Sequence, residues 1–384
     1  MRFAISLWTS FNLGNFIMSR PAVAILSTEN LLHNIKIIKE RVKPAKVIAM
    51  VKANAYGHGI RSVGLRLDGY ADELGVASID EAFVLRKAGV QSPIILMQGV
   101  YEAGELLLAA KEGFEVVFNN EAQLEWLNAI HLPVPLRSWI KINTGMGRLG
   151  FSMEDARNVY QYLSGHKGVV QPVKVMSHFA CSDECTHPLN QRQIALFNQF
   201  IEGVDTEYSL CNSAGILHFP DCFFNYVRPG ILLYGISPVR GKTGKDFGLK
   251  PVMTLQTRLT SVHTFKKGAS IGYGARYQCP EDMPVGIAAF GYGDGYPVSA
   301  RDGTPILVNQ VECCVIGRVS MDMLAVDLRS CPNAKVGDSV TLWGEGLPLE
   351  RVVENTSNIV WDMITGVQNR VKFLWTDGLT AEQQ

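Results

Sequence analysis

The chain reads as an α/β barrel protein: an N-terminal (β/α)8 barrel over residues 19–244, then a mostly-β domain over residues 245–384. Three observations predict this. From Pro21 to about Ile236, short apolar runs alternate with amphipathic helical stretches, as eight strand–helix units would. Several of those runs are continuously apolar, the pattern of a parallel sheet covered on both faces. After Tyr234 the runs become short and are broken by Gly, Pro, Asn and Asp, with no long helix before Leu349. A length of 384 residues also exceeds one ordinary core and suits two domains.

The elements follow in order. Residues 1–18 are expected to be a disordered extension: Asn12, Gly14 and Asn15 interrupt an apolar stretch too short for a membrane span. No small-residue cleavage site supports the alternative of a weak signal peptide. Leu31, Leu32, Ile35, Ile38 and Val42 make one apolar helical face. Barrel strands are expected at Lys46–Val51, Glu73–Ala77, Ile94–Met97, Val116–Phe118, Arg137–Ile142, Val173–Ser177, Glu207–Leu210 and Leu232–Tyr234. Ser78-Ile79-Asp80-Glu81 has the capping-box pattern and opens a helix ending near Gly89. Ser152 with Asp155 is a weaker version of it. An open doubly wound sheet is the rival architecture, but no G-x-G-x-x-G follows the first strand, and Gly57-His58-Gly59 is weak by itself. Gly241 to Gly248 is a polar, glycine-rich linker. Beyond it, strands are expected at Val252–Val262, Val285–Ala289, Pro305–Val308, Cys314–Ile316, Leu324–Leu328 and Ser339–Leu342. A helical turn at Trp361–Gly366 precedes a last strand at Arg370–Trp375.

Composition narrows the function classes. The formal net charge is zero and no Lys/Arg run occurs, which argues against a nucleic-acid partner. Eight scattered cysteines fit free thiols in a reducing cytoplasm better than a disulfide scaffold. Cys181 and Cys185 lack the second pair that a zinc spacing needs, so no metal is expected.

The segment Val51-Lys52-Ala53-Asn54-Ala55-Tyr56-Gly57-His58-Gly59 sets a lysine at the end of an apolar strand, before a glycine-rich loop. Shielding there lowers an amine's pKa and makes it a nucleophile or Schiff-base partner; a lysine snorkelling to solvent is the ordinary alternative. Lys141 to Arg148 repeats the strand-to-glycine-loop device, and Arg148 suits a carboxylate. His178 lies at another strand end. Asn212-Ser213-Ala214-Gly215 offers a hydroxyl and amides to a phosphate. Arg228-Pro229-Gly230-Ile231 approaches the last barrel strand. Gly272-Tyr273-Gly274 and Gly291-Tyr292-Gly293-Asp294-Gly295-Tyr296 isolate tyrosines between glycines, and Met321-Asp322 follows a strand and turn. Each has an ordinary reading as surface charge, packing ring or interface aromatic. What favours chemistry is that Lys52, Lys141, His178, Ser213 and Arg228 all fall at strand ends, which a barrel gathers at one mouth.

Together these segments resemble the alanine racemase family from about Arg20 to Trp375. The carriers are Val-Lys-Ala-Asn-Ala-Tyr-Gly-His-Gly, Thr-Gly-Met-Gly-Arg-Leu-Gly, Arg-Pro-Gly-Ile, Gly-Tyr-Gly and Ser-Met-Asp, in the family's order. The resemblance implies pyridoxal 5'-phosphate as cofactor and a cytoplasmic homodimer whose two sites each draw on both subunits. It implies interconversion of L- and D-alanine for peptidoglycan. It makes Lys52 the Schiff-base lysine and the partner copy's Tyr273 the opposing base. Tyr56, Ser213, Gly230, Ile231 and Tyr292 become the phosphate set, and Arg228 the partner of the pyridine nitrogen. His178 lies near the cofactor, Arg148 orients the substrate carboxylate, and Lys141 matches a lysine carbamylated in some members. Met321 and Asp322 come from the partner near the substrate carboxylate.

This chain departs from the family in three places. Gly293 stands for a usual Ala, Val298 for a usual Arg, and Trp361-Asp362 for Tyr-Glu, replacing a tyrosine that often narrows the way to the substrate. A broader racemase acting on serine or lysine is therefore the near alternative. A non-catalytic pyridoxal-phosphate-binding regulator is the alternative from another class, and the long β domain carrying Tyr273 argues against it. A decarboxylase of similar barrel would need a cysteine-bearing loop that Cys313-Cys314 does not match.

Overall fold

The computed structural model describes residues 20–378, so the extension expected at 1–18 lies outside the described residues. Eight parallel strands close the barrel: β2 (Lys46–Met50), β3 (Glu73–Val76), β4 (Ile94–Leu96), β5 (Glu115–Phe118), β6 (Ser138–Lys141), β7 (Lys174–Met176), β8 (Tyr208–Asn212) and β9 (Tyr226–Arg228). Pairing of β2 with β9, Lys46 beside Tyr226, completes the ring. The open doubly wound sheet is thereby excluded.

Seven strands lie where the periodicity put them, and the eighth does not. Leu232–Tyr234, expected as the last strand, lies within a 3-10 turn at Ile231–Tyr234, and the barrel closes instead on Tyr226–Arg228. The run is apolar because it packs under the helix Thr28–Val42, whose buried Asn34 donates to the Leu233 carbonyl at 3.0 Å. Pro229, lacking an N–H, stops the true strand after three residues. So short a strand, ending in a charged residue, leaves no apolar run to read.

The first strand, β1 (Val23–Leu26), is not part of the barrel. It pairs antiparallel with β10 (Met253–Phe265) and parallel with the final strand β18 (Lys372–Trp375), so the start and end of the described chain enter the second domain's sheet side by side. That sheet is completed by β13 (Met283–Ala288), β14 (Thr304–Val308), β15 (Val311–Ile316), β16 (Leu324–Asp327) and β17 (Ser339–Trp343). A separate two-stranded ribbon, β11 (Ser270–Ile271) with β12 (Tyr277–Gln278), carries Tyr273 at its tip. The glycine-rich segment between the domains is folded: Glu350 accepts from Ser237 N at 2.7 Å and Gly244 N at 2.8 Å. All eight cysteines are free thiols. No helix among the described residues is long and apolar enough to cross a membrane.

A buried ionic cluster lies within the barrel, at strand positions away from the mouth that holds Lys52. Lys174 pairs with Glu73 at 3.3 Å, Glu115 at 3.2 Å and Glu207 at 3.7 Å, its ammonium 4.9 Å from the Trp139 and Tyr226 ring centres. Burial, and then repulsion from Glu115, push the Glu73 carboxyl from 4.5 up to about 7 despite Lys174. The folded protein therefore holds this proton more tightly than the unfolded chain does. Its stabilising contribution is complete below the ordinary value and is lost as pH rises through about 7, up to roughly 3 kcal/mol in all. Glu73→Gln, uncharged throughout, is expected to hold its melting temperature where the native protein loses some, between about pH 5 and 8. Parallel melting curves would contradict this.

Candidate active site

The site is built around the turn that follows β2. Ala53, Asn54, Ala55 and Tyr56 all have φ of 52–54° and ψ of 41–54°, one turn of left-handed helix made without glycine. Such backbone costs about 1–2 kcal/mol per residue and persists only where its surroundings over-determine it. Glu81 supplies one restraint, accepting from Ala53 N at 2.7 Å and from Ala77 N at 2.7 Å. The helix at Ile79–Ala88 does end at Gly89, but the Ser78 side chain makes no capping bond. The expected capping box is not formed: Glu81 accepts from Ala77 N and Ala53 N instead of from Ser78 N. Asn54 Oδ1 accepts from Ile60 N at 2.8 Å. Gly57 closes the turn at φ +80°, and a Cβ there would lie 2.1 Å from the Ile364 carbonyl oxygen. The second domain's helix Val360–Thr365 thus seats directly on the turn.

Lys52, Lys141, His178, Ser213 and Arg228 all lie at C-terminal ends of barrel strands and line one cavity of about 680 Å³, together with Tyr56, Arg148, Gly230 and Ile231. Nine of the thirteen sequence-predicted site residues meet there. Burial first, and then Arg148, hold the Lys52 amine below its usual range. Lys141, with Arg228, Arg148 and Lys52 around it, is pushed down to about 7, again chiefly by burial. Arg228 is fully enclosed and lowered to about 10 by burial, which leaves it a cation at neutral pH. Its guanidinium donates to Ser209 Oγ, to the carbonyls of Ser177 and Leu210, and to His178 Nδ1 at 3.2 Å. An arginine has no acceptor, so His178 Nδ1 accepts and a neutral ring carries its proton on Nε2. Burial and four neighbouring cations hold that ring neutral, well below its ordinary pKa.

Two observations test whether this cavity fits an aromatic phosphate cofactor. Arg228 Nε is buried with no partner, a donor awaiting an acceptor such as a ring nitrogen. At the other end, Ser213 Oγ accepts from Gly230 N at 2.8 Å, leaving its hydroxyl hydrogen to donate. Gly230 has no room for a side chain, since a Cβ would lie 2.3 Å from Tyr56 Oη. Burial raises the Tyr56 phenol to about 12, so it too stays a donor. The residues fit.

Four predicted residues lie outside the cavity of a single chain. Tyr273 is 71% exposed at the tip of the β11–β12 ribbon, Met321 is 53% exposed, and Tyr292 and Asp322 also lie away from the cavity lining. Tyr292 N and Gly293 N donate to the carbonyls of Ser320 and Met321 at 3.0 and 2.8 Å, so these two loops form one unit. Arg370 pairs with Asp294 at 2.9 Å and with Asp322 at 2.6 Å, and Arg20 pairs with Asp294 at 2.7 Å. Trp361, noted only as a departure, does line the cavity, as do Thr365, Asp183 and Asn212. Asn212 opens the Asn212–Gly215 motif, whereas Thr365 and Asp183 carry no sequence signal of their own. Trp361 required knowing that its helix returns to the barrel mouth.

Fold and site define a class: two-domain barrel enzymes with a shielded lysine at the mouth of the first barrel strand. The sequence signature "Alanine racemase, N-terminal domain" matches residues 26–238, and "Alanine racemase, C-terminal domain" matches residues 252–375. The chain is 41% identical over 356 residues to "Alanine racemase" of Legionella pneumophila (strain Lens), covering 93% of this chain and all of that one. It is 42% identical over 359 residues to "Alanine racemase, biosynthetic" of Escherichia coli (strain K12), with the same coverage. Among solved structures, the biosynthetic alanine racemase from Pseudomonas aeruginosa superposes with a TM-score of 0.90 at 38% identity, over 93% of this chain and 99% of that one. That from Acinetobacter baumannii superposes at 0.87 and 34%, over 93% and 100%. The chain belongs to the alanine racemase family.

Proposed function

We propose that this chain interconverts L- and D-alanine, using pyridoxal 5'-phosphate and two proton-transfer groups, Lys52 and the partner copy's Tyr273. The observation that carries the reading is the unpartnered Arg228 Nε in the same cavity as the shielded Lys52 amine. When bound, the cofactor delocalises the charge left at the substrate α-carbon. The protein's task is to deliver protons to both faces of that carbon, which one base cannot do.

Lys52 serves one face, its amine held below its usual pKa by burial and then by Arg148. Tyr273 serves the other, and its exposure in one chain suits a residue completed by a second copy. The exposed Met321 and the loops tied by Asp294 belong to the same homodimer face, with Asp322 near the substrate carboxylate. His178, held through Nδ1 by Arg228 with its proton on Nε2, is inferred to stand beside the cofactor and the partner copy's Tyr273. Arg148 orients the substrate carboxylate. Lys141, its pKa pushed down to about 7, has a substantial share of free amine at neutral pH able to add carbon dioxide. The N–C bond forms as one C–O π bond opens, a proton leaves, and the resulting carboxylate pairs with Arg148. Ser213, Tyr56, Gly230 and Ile231 take the phosphate, with Tyr292 the remaining member inferred for that set.

Reduction of the cofactor-loaded protein with borohydride, followed by peptide mass analysis, is expected to fix the pyridoxyl group on Lys52. Its recovery on Lys141, or on no lysine, would overturn the assignment. Trp361 on the cavity wall favours a second reading, breadth toward serine or lysine, which saturated turnover of D-alanine, D-serine and D-lysine separates from the first.

A further inference from the structure

The turn after Lys52 contains a titratable group that the proposed reaction does not use. His58 is fully buried, its ring stacked on Tyr234 with 4.4 Å between centroids. Tyr234 stacks in turn on Tyr56 at 5.1 Å, and its hydroxyl donates to the carbonyl of Met50, the last residue of β2, at 3.1 Å. His58 Nδ1 lies 2.9 Å from the Tyr56 carbonyl oxygen. A carbonyl can only accept, so Nδ1 carries the proton and Nε2 presents a lone pair. That Nε2 is buried without a partner. Protonation would add a second N–H with nothing to receive it, and burial accordingly pushes the ring down to about 4.

We infer that His58 is a positioning residue whose Nδ1–H pins the Tyr56 carbonyl at the close of the left-handed turn, and so fixes where Lys52 and Tyr56 stand. A left-handed run without glycine relaxes unless its polar groups are tied. Glu81 ties the first of the four residues through Ala53 N, and His58 ties the last through Tyr56 O. The Tyr56–Tyr234–His58 stack holds the closing end of the turn. This rests on Lys52 and Tyr56 holding the cofactor, as proposed above.

A ring that merely packs would need its volume; a positioning ring needs the Nδ1 donor. His58→Asn sets an amide nitrogen near the place of Nδ1, His58→Gln sets it nearer that of Nε2, and His58→Phe keeps a ring with no donor. In the cofactor-free native protein, nitrogen-15 NMR is expected to show the Nδ1–H tautomer, untitrated between about pH 5 and 8. An Nε2–H tautomer or a cation there would overturn the inference. On titrating pyridoxal phosphate into the cofactor-free forms, His58→Asn is expected within about threefold of the native Kd, and His58→Gln and His58→Phe about tenfold weaker. Equal affinity across the three variants would leave only packing and overturn it. Should the variants fail to fold, the tautomer of the native protein decides. Native protein that binds no pyridoxal phosphate would sink the functional reading, while the tautomer measurement would still judge the His58 bond.

Discussion

Lys52→Ala is expected to lower racemisation in both directions by a factor on the order of a thousand or more. The size follows from the two tasks given to one amine, holding the cofactor and moving the α-proton on one face. Lys141 is the alternative amine lining the cavity, and its neighbour Arg148 is the group given to the substrate carboxylate. The fold should survive, because the left-handed turn is held by Glu81, Asn54 and the Gly57–Ile364 approach, none of which involves the Lys52 side chain. Activity assays beside circular dichroism and melting curves check this. A variant that keeps more than about a tenth of native turnover would remove Lys52 from its role.

Tyr273→Phe is the second large effect, expected at about 10²–10⁴-fold, the usual worth of a general acid–base group. Its diagnostic is not the loss of rate. Enantiomers interconvert with an equilibrium constant of unity, so kcat/KM must fall equally in both directions whichever base is removed. The asymmetry appears in isotope effects instead. With α-deuterated alanine, the enantiomer whose hydrogen faces Tyr273 should show an enlarged effect, and its mirror image should not. Equal changes for both enantiomers would mean that the phenol does not transfer the α-proton. Because Tyr273 is so exposed in one chain, its removal should leave the melting temperature of the subunit nearly unchanged.

Much of this was legible in the sequence, for identifiable reasons. Seven barrel strands were readable as short apolar runs alternating with amphipathic helices, several of them continuously apolar as strands buried on both faces tend to be. The eighth failed because Tyr226–Arg228 is three residues long and ends on an arginine, while the neighbouring Leu232–Tyr234 is apolar for another reason, packing under a helix. β1 was missed because four residues, Val23–Leu26, carry no sign that their partners lie more than two hundred positions away. The strand-end residues of the site were readable since a barrel fixes where strand ends go. Tyr273, Tyr292, Met321 and Asp322 were readable only through resemblance, because no single chain brings them to the cavity. Glu81 and His58 were hidden for a third reason: one looked like an ordinary helix start and the other like a loop residue. Neither periodicity nor capping rules foresee a left-handed turn built without glycine.

The most direct test mixes two inactive proteins. Native-like dimers of Lys52→Ala and Tyr273→Phe, dissociated together and allowed to reassociate at random, should regain about a quarter of native activity. Half of the dimers would then be mixed, and each mixed dimer would hold one site with both native groups. Recovery near that level, absent when either variant is treated alone, is the predicted result. No recovery, although mixed dimers are demonstrably present, would mean that lysine and tyrosine do not meet across two copies of the chain.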